Sequence, residues 1–270
     1  MFIVHGGGPR PDHSGRMFVV IIADFSAVVT DKRFLYNVPV AVPLQRRGRR
    51  KARQRRYPLE QFDVLDCTGS KTGARIGRDD AHANGVWHGA FHCLLFYLRN
   101  GRVRALFQQR SRLKKIAPGL FDVSAGGHYA AGENAATAGP REIGEELGLT
   151  VPFSSLVPVG RRVFVYCFTP GVFEYEFQDV FLLPLDRRPD RLVLQPGEVD
   201  AVLELDVEEG IGLFSGRTAA AQGLFTARTG EEGPATVSPD EFVPCVDSYY
   251  LKLLMLARRY ARGERETLAI

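Results

Sequence analysis

The chain has 270 residues, which is long enough for one large domain or two small ones with a sizeable core. Hydrophobic residues make up 45% and charged residues 24%, an ordinary composition for a soluble globular protein. The net charge of +4 comes from residues 46–56, which hold eight Lys or Arg and no acid; subtracting these eight charges leaves −4. Residues 17–29, the best candidate for a membrane span, contain Asp24 and are too short to cross a bilayer.

Four cysteines are widely scattered, and no C-x-x-C pair occurs among Cys67, Cys93, Cys167 and Cys245. This spacing argues against a disulfide or zinc framework. The apolar stretch near the N-terminus also makes a poor signal peptide, because early positive charge and a small-residue cleavage site are not convincing. We therefore expect reduced, mostly buried thiols in a cytoplasmic protein without a membrane partner.

Residues 1–56 differ from the rest of the chain, with a turn-rich start, an apolar stretch punctuated by proline, and the basic run. The run could be an arm for nucleic acid or an anionic surface, a solvated tail, or sequence upstream of the working start of the protein. It lacks the interleaved aromatic residues that stack on bases, so we favour the last two interpretations over nucleic-acid binding. The compact domain is expected to span residues 57–270.

Hydrophobic patterning and turn residues predict a series of short strands in this domain. Asn100-Gly101 is a strong signal for a hairpin between two of them. In chain order the predicted strands cover residues 60–65, 90–98, 102–109, 121–125, 161–168, 177–183 and 198–205.

The last 64 residues predict helices separated by a long loop. A short helix is expected from about Val207, and residues 216–237 form a Gly/Thr/Ala-rich loop. A closing helix is expected over residues 239–262, with Ser238 as its N-cap and room for a break at Pro244.

A loop that leads into a short acidic helix follows the strand predicted over 121–125. Glu142, Glu145 and Glu146 are spaced i, i+3, i+4, so their carboxylates project from one helical face. Three like charges on one face need solvent or a hard cation to neutralise them. Mg²⁺ is such a cation, because it prefers oxygen ligands and often binds substrate phosphates as well.

The rest of this helix shows how it is seated and where it ends. Ile143 and Leu147 point away from the glutamates and can pack on a core, and Gly148 supplies the C-terminal stop. Pro140 would cost about 3 kcal/mol in a helix interior. We therefore expect Thr137 to be the N-cap, so that the helix begins at about that residue or is kinked at the proline.

An E-x-x-E-E face alone is compatible with an ordinary solvated helix. The longer pattern G-x5-E-x7-R-E-aliphatic-x-E-E-x-G-aliphatic, from Gly127 to Leu149, resembles the Nudix signature at every defined position. This resemblance implies an α/β fold, the Nudix α/β/α sandwich with a mixed sheet. It also implies hydrolysis of a diphosphate that is linked to another group.

The Nudix resemblance implies roles for individual residues. Mg²⁺ or Mn²⁺ is expected on Glu142, Glu145 and Glu146, while Glu133 and Arg141 are expected to pair and to brace the loop against the helix. A carboxylate would accept a proton from a metal-bound water, and Glu145 or Glu146 is the first candidate for that role.

The flanking sequence resembles the Nudix branch that contains isopentenyl-diphosphate isomerase and related hydrolases, over about residues 60–260. In the isomerase, three histidines and the glutamates of an E-x-E pattern bind a metal. The corresponding residues here are His82, His88, His128, Glu174 and Glu176. Imidazole suits Zn²⁺ or Mn²⁺, whereas carboxylates suit Mg²⁺. Each histidine taken singly would more often be a hydrogen-bonded structural residue.

The same resemblance places further residues around the diphosphate. Arg110 and Lys114, on a basic loop, lie where the isomerase contacts its substrate's diphosphate, and a guanidinium can bind phosphate bidentately. A solvated basic loop is the alternative. Gly126 and Gly127 would let the backbone approach the phosphates closely. Glu176 is the second candidate for the proton acceptor.

One departure from the isomerase pattern concerns the chemistry. The isomerase needs a cysteine two residues before its third histidine, and this chain has Gly126 there, which has no side chain to transfer a proton. We therefore predict a metal-dependent pyrophosphohydrolase whose partner is a small-molecule diphosphate, and a homodimer is compatible with the sequence. An isomerase-like enzyme on prenyl diphosphates and a non-catalytic Nudix-fold binding or regulatory module are the alternatives.

Overall fold

The computed structural model describes residues 60–266 and 268–270, so the predicted extension, residues 1–56, and its boundary at residue 57 lie outside the described residues. The strands are β1 (Gln61–Leu65), β2 (Lys71–Gly77), β3 (His88–Arg99), β4 (Arg102–Arg110), β5 (Phe121–Asp122), β6 (Ala125–His128), β7 (Val157–Thr169), β8 (Val172–Leu185), β9 (Val199–Asp206), β10 (Ala221–Ala227) and β11 (Glu232–Val237). The helices are α1 (Arg78–Asn84), α2 (Ala135–Leu147), α3 (Val207–Phe214) and α4 (Tyr249–Ala261).

Most strands form one mixed sheet in the order β11–β10–β9–β4–β3–β8–β7, with β5 beside β4 and β6 beside β3. β3 and β8 run parallel, from His88 opposite Glu176 to Tyr97 opposite Leu185, while their other neighbours in the sheet run antiparallel. β1 and β2 form a separate two-stranded ribbon. The parallel pair matters for the site because its register sets His88 beside Glu176.

Both faces of the sheet are covered, because successive side chains of a strand point to opposite sides. Leu94 and Phe96 of β3 belong to a core that α3 and α4 complete. Phe91 and Leu95 belong to a second core, which α2 completes with Ile143 and other side chains. Helices on the two faces of a mixed sheet make this the predicted α/β/α sandwich.

The predicted strands are present except in one case, although their ends differ by a few residues. The hairpin turn between β3 and β4 is confirmed, because Asn100 and Gly101 both have positive φ, 52° and 73°. The single strand predicted over 121–125 is wrong. The chain pairs with β4 through β5 and then with β3 through β6, and between them Ser124 donates to the carbonyl of Leu106 and accepts from Leu95 N at 2.7 Å.

The loop predicted over residues 216–237 is also wrong, because it contains the hairpin β10–β11. Ala221 pairs with Val237 at one end and Thr226 with Glu232 at the other. Glycine, alanine and proline are poor strand formers, so local composition favours a loop here. Pairing of β10 with the buried strand β9 supplies the tertiary context that overrides it.

The closing helix is shorter than the predicted span of 239–262. Ser238 caps only a 3₁₀ turn, Pro239–Glu241, through a capping box with Glu241. The chain then runs extended past Pro244, where a break was expected, and Val243 N donates to the carbonyl of Phe121 at 2.9 Å. α4 begins at Tyr249.

The predicted start of α2 is wrong. Asn134 is the N-cap, and its Oδ1 accepts from the backbone of Ala136 at 3.0 Å and of Thr137 at 3.3 Å. Thr137 completes a capping box instead of beginning the helix. Pro140 lies inside the helix and has no N–H to donate to the carbonyl of Ala136, four residues earlier. Ala136 is exposed, so water can bond to that carbonyl instead.

The prediction of mostly buried thiols is wrong. Cys93 is buried and Cys245 half-buried, but Cys67 lies exposed in the turn after β1 and Cys167 on the outward side of edge strand β7. All four are free of disulfides. Among the described residues, no helix combines the length and the apolar character that crossing a membrane requires.

Asn134→Ala should lower the free energy of unfolding by about 1 kcal/mol, because two N–H groups of the first turn of α2 lose their acceptor. Asn134→Gly should lower it by only about 0.3 kcal/mol, since glycine lets the backbone solvate at a cap. Urea titration of both variants at an unchanged slope measures the difference. Equal losses for alanine and glycine would contradict capping by Asn134.

Candidate functional site

The acidic face of α2 packs against β6 at two glycines. A methyl group built on Gly127 would lie 2.3 Å from the carboxyl carbon of Glu142, so this carboxylate occupies the space that a side chain would fill. Gly126 N donates to Oε2 of Glu146 at 2.9 Å. The two glycines thus seat glutamates, and the Gly126 N–H that was expected to approach a phosphate already has a partner.

Glu146 is the most buried of the three glutamates, with only 5% of the residue exposed. Its Oε2 also accepts from Gln108 Nε2 at 3.1 Å. Burial, followed by the neighbouring Glu142 carboxylate, raises the pKa of Glu146 to about 8. Burial is also the main cause that raises the pKa of Glu142. Two poorly solvated carboxylates side by side would be stabilised by a bound cation.

Glu133 and Arg141 form a bidentate ion pair, at 2.9 Å from Nε to Oε1 and 2.7 Å from Nη2 to Oε2. Arg141 Nη1 also donates to Glu142 at 2.8 Å and to Glu145 at 3.1 Å. The guanidinium therefore also reaches two carboxylates of the acidic face. Its Nη2 lies 3.3 Å from the carbonyl of His128, so it also ties α2 to β6.

Three histidines and a glutamate converge beside α2. The ligand atoms of His82, His88, His128 and Glu174 all lie within 4.8 Å of one another. Four elements bring them together: α1 carries His82, β3 begins at His88, β6 ends at His128, and β8 carries the glutamate. Phe62 of β1 closes the cluster from one side, with ring centroids 4.8 Å from those of His88 and His128.

This cluster fits a metal ion. Among the described residues, His82 Nε2, His88 Nε2 and Glu174 Oε2 are buried without a hydrogen-bond partner, although buried polar atoms are normally paired. His88 Nδ1 lies 2.8 Å from the carbonyl of Val86, which can only accept, so Nε2 keeps its lone pair for a ligand. Burial, with His128 and His88 adding to it, lowers the pKa of His82 to about 3, which keeps its imidazole neutral.

Glu174 and Glu176 are close enough to influence each other. Burial and the Glu176 charge raise the pKa of Glu174. Burial opposes ionisation of Glu176 too, but the neighbouring His128 and His88 side chains outweigh it and lower the pKa of Glu176. His128 Nε2 lies 2.9 Å from Glu176 Oε1. Burial acts against the charged form of His128, yet the adjacent Glu174 and Glu176 carboxylates raise its pKa to about 9.

All but one of the predicted ligands open onto one cleft of about 520 Å³. His88 lies behind its wall, whereas the other predicted metal-binding side chains line it. Arg110 and Lys114 line it as well, but each is already paired. Arg110 bonds to the carbonyl of Ile116 at 3.1 Å and lies 3.5 Å from Asp122, and Lys114 pairs with Glu198. Acidic side chains therefore hold Arg110 and Lys114 in place, and the basic loop is not simply solvated.

Several residues of the site were not predicted. Gln108 and Gln178 each donate to one oxygen of a predicted ligand, Glu146 and Glu176 respectively. Phe62 packs on the histidine rings. A sequence signal existed only for Gln178, which follows Glu174 and Glu176 at strand spacing and so shares their face.

Comparison with known proteins identifies the family to which the chain belongs. A family model described as the NUDIX domain matches residues 87–224, just over half of the chain. The chain belongs to the NUDIX family. Its relatives include proteins named as Nudix hydrolases and proteins named as isopentenyl-diphosphate isomerases. The expected resemblance is confirmed, and the protein is by family a Nudix hydrolase.

Three of these similarities show its extent. An uncharacterized Nudix hydrolase of Clostridium acetobutylicum is 27% identical over 195 residues, 71% of this chain and 93% of that protein. An isopentenyl-diphosphate delta-isomerase of Saccharopolyspora erythraea is 34% identical over 131 residues, 48% of this chain and 66% of that protein. A crystal structure from Deinococcus radiodurans covers 58% of this chain and 90% of its own, with 21% identity and a TM-score of 0.43.

Glu146→Gln should stabilise the metal-free protein progressively as the pH rises. The folded state keeps a proton on Glu146 up to about pH 8, whereas the unfolded chain releases it near the ordinary pKa of 4.5. Between these values the folded state binds more protons, so raising the pH costs stability, and the amide removes that cost. Urea titrations in EDTA at about pH 5 and about pH 8 measure it. A difference from wild type that is independent of pH would contradict the assignment.

Proposed function

We propose that this Nudix protein is a metal-dependent pyrophosphohydrolase that cleaves a small-molecule diphosphate linked to another group. The observation that supports this most directly is the convergence of two acidic clusters on one cleft. One is the Glu142, Glu145 and Glu146 face of α2, and the other is the histidine cluster with Glu174 and Glu176. Basic side chains of the 110–115 loop border the same space.

The donor sets match two kinds of ion. Glu142, Glu145 and Glu146 are oxygen donors suited to Mg²⁺ or Mn²⁺. His82, His88, His128 and Glu174, with Glu176 beside them, combine imidazole and carboxylate and suit Zn²⁺ or Mn²⁺. Divalent ions bound here would polarise a phosphoryl oxygen and acidify a water molecule.

The chain supplies three candidates to accept a proton from water. Glu146 is our first choice, because burial strengthens its hold on a proton and both hydrogen bonds that it accepts within residues 60–266 use Oε2, leaving Oε1 for the cleft. Glu145 is about half exposed and accepts a bond from Arg141. Glu176 is the remaining candidate and is held by His128.

The basic loop would neutralise and orient the phosphates. Arg110 and Lys114 face the cleft but pair with Asp122 and Glu198. A diphosphate would therefore share these cations with the acids or displace the acids from them. The Arg110 bond to a loop carbonyl fixes the guanidinium in place, so less side-chain entropy is lost on binding.

An isomerase of prenyl diphosphates is the second candidate function. The histidine cluster and the isomerases among the relatives favour it. Gly126 opposes it, because the chain offers no side chain for proton transfer at that position. A non-catalytic module is disfavoured by the complete set of glutamates on α2.

Purified protein with Mg²⁺ or Mn²⁺ should hydrolyse at least one member of a panel of nucleotide, nucleotide-sugar, dinucleotide and prenyl diphosphates, and EDTA should stop the reaction. Glu146→Gln should lower kcat by about 10²- to 10⁴-fold, the usual worth of a general base. Glu209→Gln, an exposed glutamate of α3, is the matched control and should leave kcat unchanged.

Two results would contradict this function. One is an absence of hydrolysis across the panel with either metal, and the other is unchanged turnover in Glu146→Gln. Formation of an allylic isomer from isopentenyl diphosphate without phosphate release would instead support the isomerase.

A further inference from the structure

A chain of hydrogen bonds connects the segment before α4 to the histidine cluster. Asp247 accepts from Arg162 Nε at 2.7 Å and from Nη2 at 2.8 Å. Arg162 Nη1 donates to Gln178 Oε1 at 2.8 Å, and Gln178 Nε2 donates to Glu176 Oε2 at 2.6 Å. The other oxygen of Glu176 faces His128 Nε2 at 2.9 Å. We refer to Asp247, Arg162 and Gln178 as the relay.

The middle position of the relay requires a group that both accepts and donates hydrogen bonds. A guanidinium only donates hydrogen bonds and an ionised carboxylate only accepts them, so a group between Arg162 and Glu176 must accept on one side and donate on the other. Gln178 does both with one rigid group. A glutamate there would set a second negative charge against Glu176, and an apolar side chain would leave two buried groups unpaired.

The outer part of the relay is rigid and electrically balanced. The Arg162 side chain is only 6% exposed and its guanidinium lies 3.9 Å from the ring centroid of Tyr249 and 4.7 Å from that of Phe164. Arg162 and Gln178 are also register partners across β7 and β8. Since Asp247 neutralises Arg162, the relay orients Glu176 without adding net charge to the cluster.

We propose that Gln178, held by Arg162 and Asp247, is a positioning residue that makes Glu176 a one-oxygen metal ligand. By engaging Oε2 it turns Oε1 toward His128 and toward His88 Nε2, which lies at 3.7 Å. This inference rests on the proposed function only in taking the histidine cluster as a metal site. It assigns a task to three residues outside the family's signature helix.

Metal binding by the full-length protein tests the relay without an activity assay. Metal-free wild type, Gln178→Met and the control Gln222→Met, an exposed glutamine on β10, are titrated with Co²⁺ while the visible spectrum and heat of binding are recorded. Gln178→Met should bind Co²⁺ about 10- to 100-fold more weakly, the usual loss when a group that orients a ligand is removed. Its spectrum at saturation should also differ, because a released Glu176 changes the coordination of the ion.

A second variant separates positioning from folding. Asp247→Asn, at a partly exposed site, loosens Arg162 and leaves Gln178 in place, so it should lower Co²⁺ affinity in the same direction by a smaller factor. A purely structural role would lower the unfolding temperature of either variant but leave affinity and spectrum unchanged in the folded fraction.

Each outcome has a defined meaning. If His88→Ala binds Co²⁺ as wild type does, the cluster is not the metal site and that part of the proposed function fails. If His88→Ala loses binding while Gln178→Met and Asp247→Asn match wild type, the relay is overturned and the metal site stands.

Discussion

The close contact between α2 and β6 is the constraint on which the site depends. Gly127 leaves the space that the Glu142 carboxylate fills, and Gly126 contributes the N–H that Glu146 accepts. A side chain at Gly127 would push α2 or the Glu142 carboxylate away. The fit therefore fixes both where the helix lies and which way its carboxylates point, and the Glu133–Arg141 pair holds the same arrangement from the other side.

Charge balance explains how so many acids share one cleft. Arg141 neutralises Glu133 and touches Glu142 and Glu145, but Glu146 receives only neutral donors. In the second cluster, His128 is the one cation among the described residues that hydrogen-bonds to Glu176, while His82 is kept neutral by burial. Both clusters thus hold acceptors that no group of the described chain satisfies fully. This is the condition expected of a site built to receive cations.

The parts of the fold that the sequence predicted are those in which local pattern and tertiary contact agree. The apolar residues Ile143 and Leu147 oppose the glutamates at helical spacing and are buried as expected. Asn100 and Gly101 have the two positive φ values that a type I′ hairpin turn needs and that this residue pair readily adopts. Prediction failed where the surroundings of a segment decide its structure. β10 is a strand because it pairs with β9. Pro140 is tolerated inside α2 because water can reach the carbonyl that it leaves unpaired, so the helix begins after Asn134 and not at Thr137.

The residues of the candidate site likewise fall into those that the sequence could identify and those that it could not. Residues at signature spacing, such as Glu146 and Arg141, could be identified from the sequence. Gln108, Arg162 and Asp247 could not, because their roles arise from strand register and from a segment more than 80 residues away. The expected role of Gly126 and Gly127 also changed for this reason. Only the packed structure shows that glutamates, and not phosphates, lie against their backbone.

Anomalous diffraction from crystals grown with Mn²⁺ tests the two-cluster cleft most directly. Density for Mn²⁺ should appear against the carboxylates of Glu142 and Glu146, and separately among the Nε2 atoms of His82, His88 and His128. Mn²⁺ bound elsewhere on the protein, or at neither cluster under saturating conditions, would contradict a metal-dependent role for this cleft.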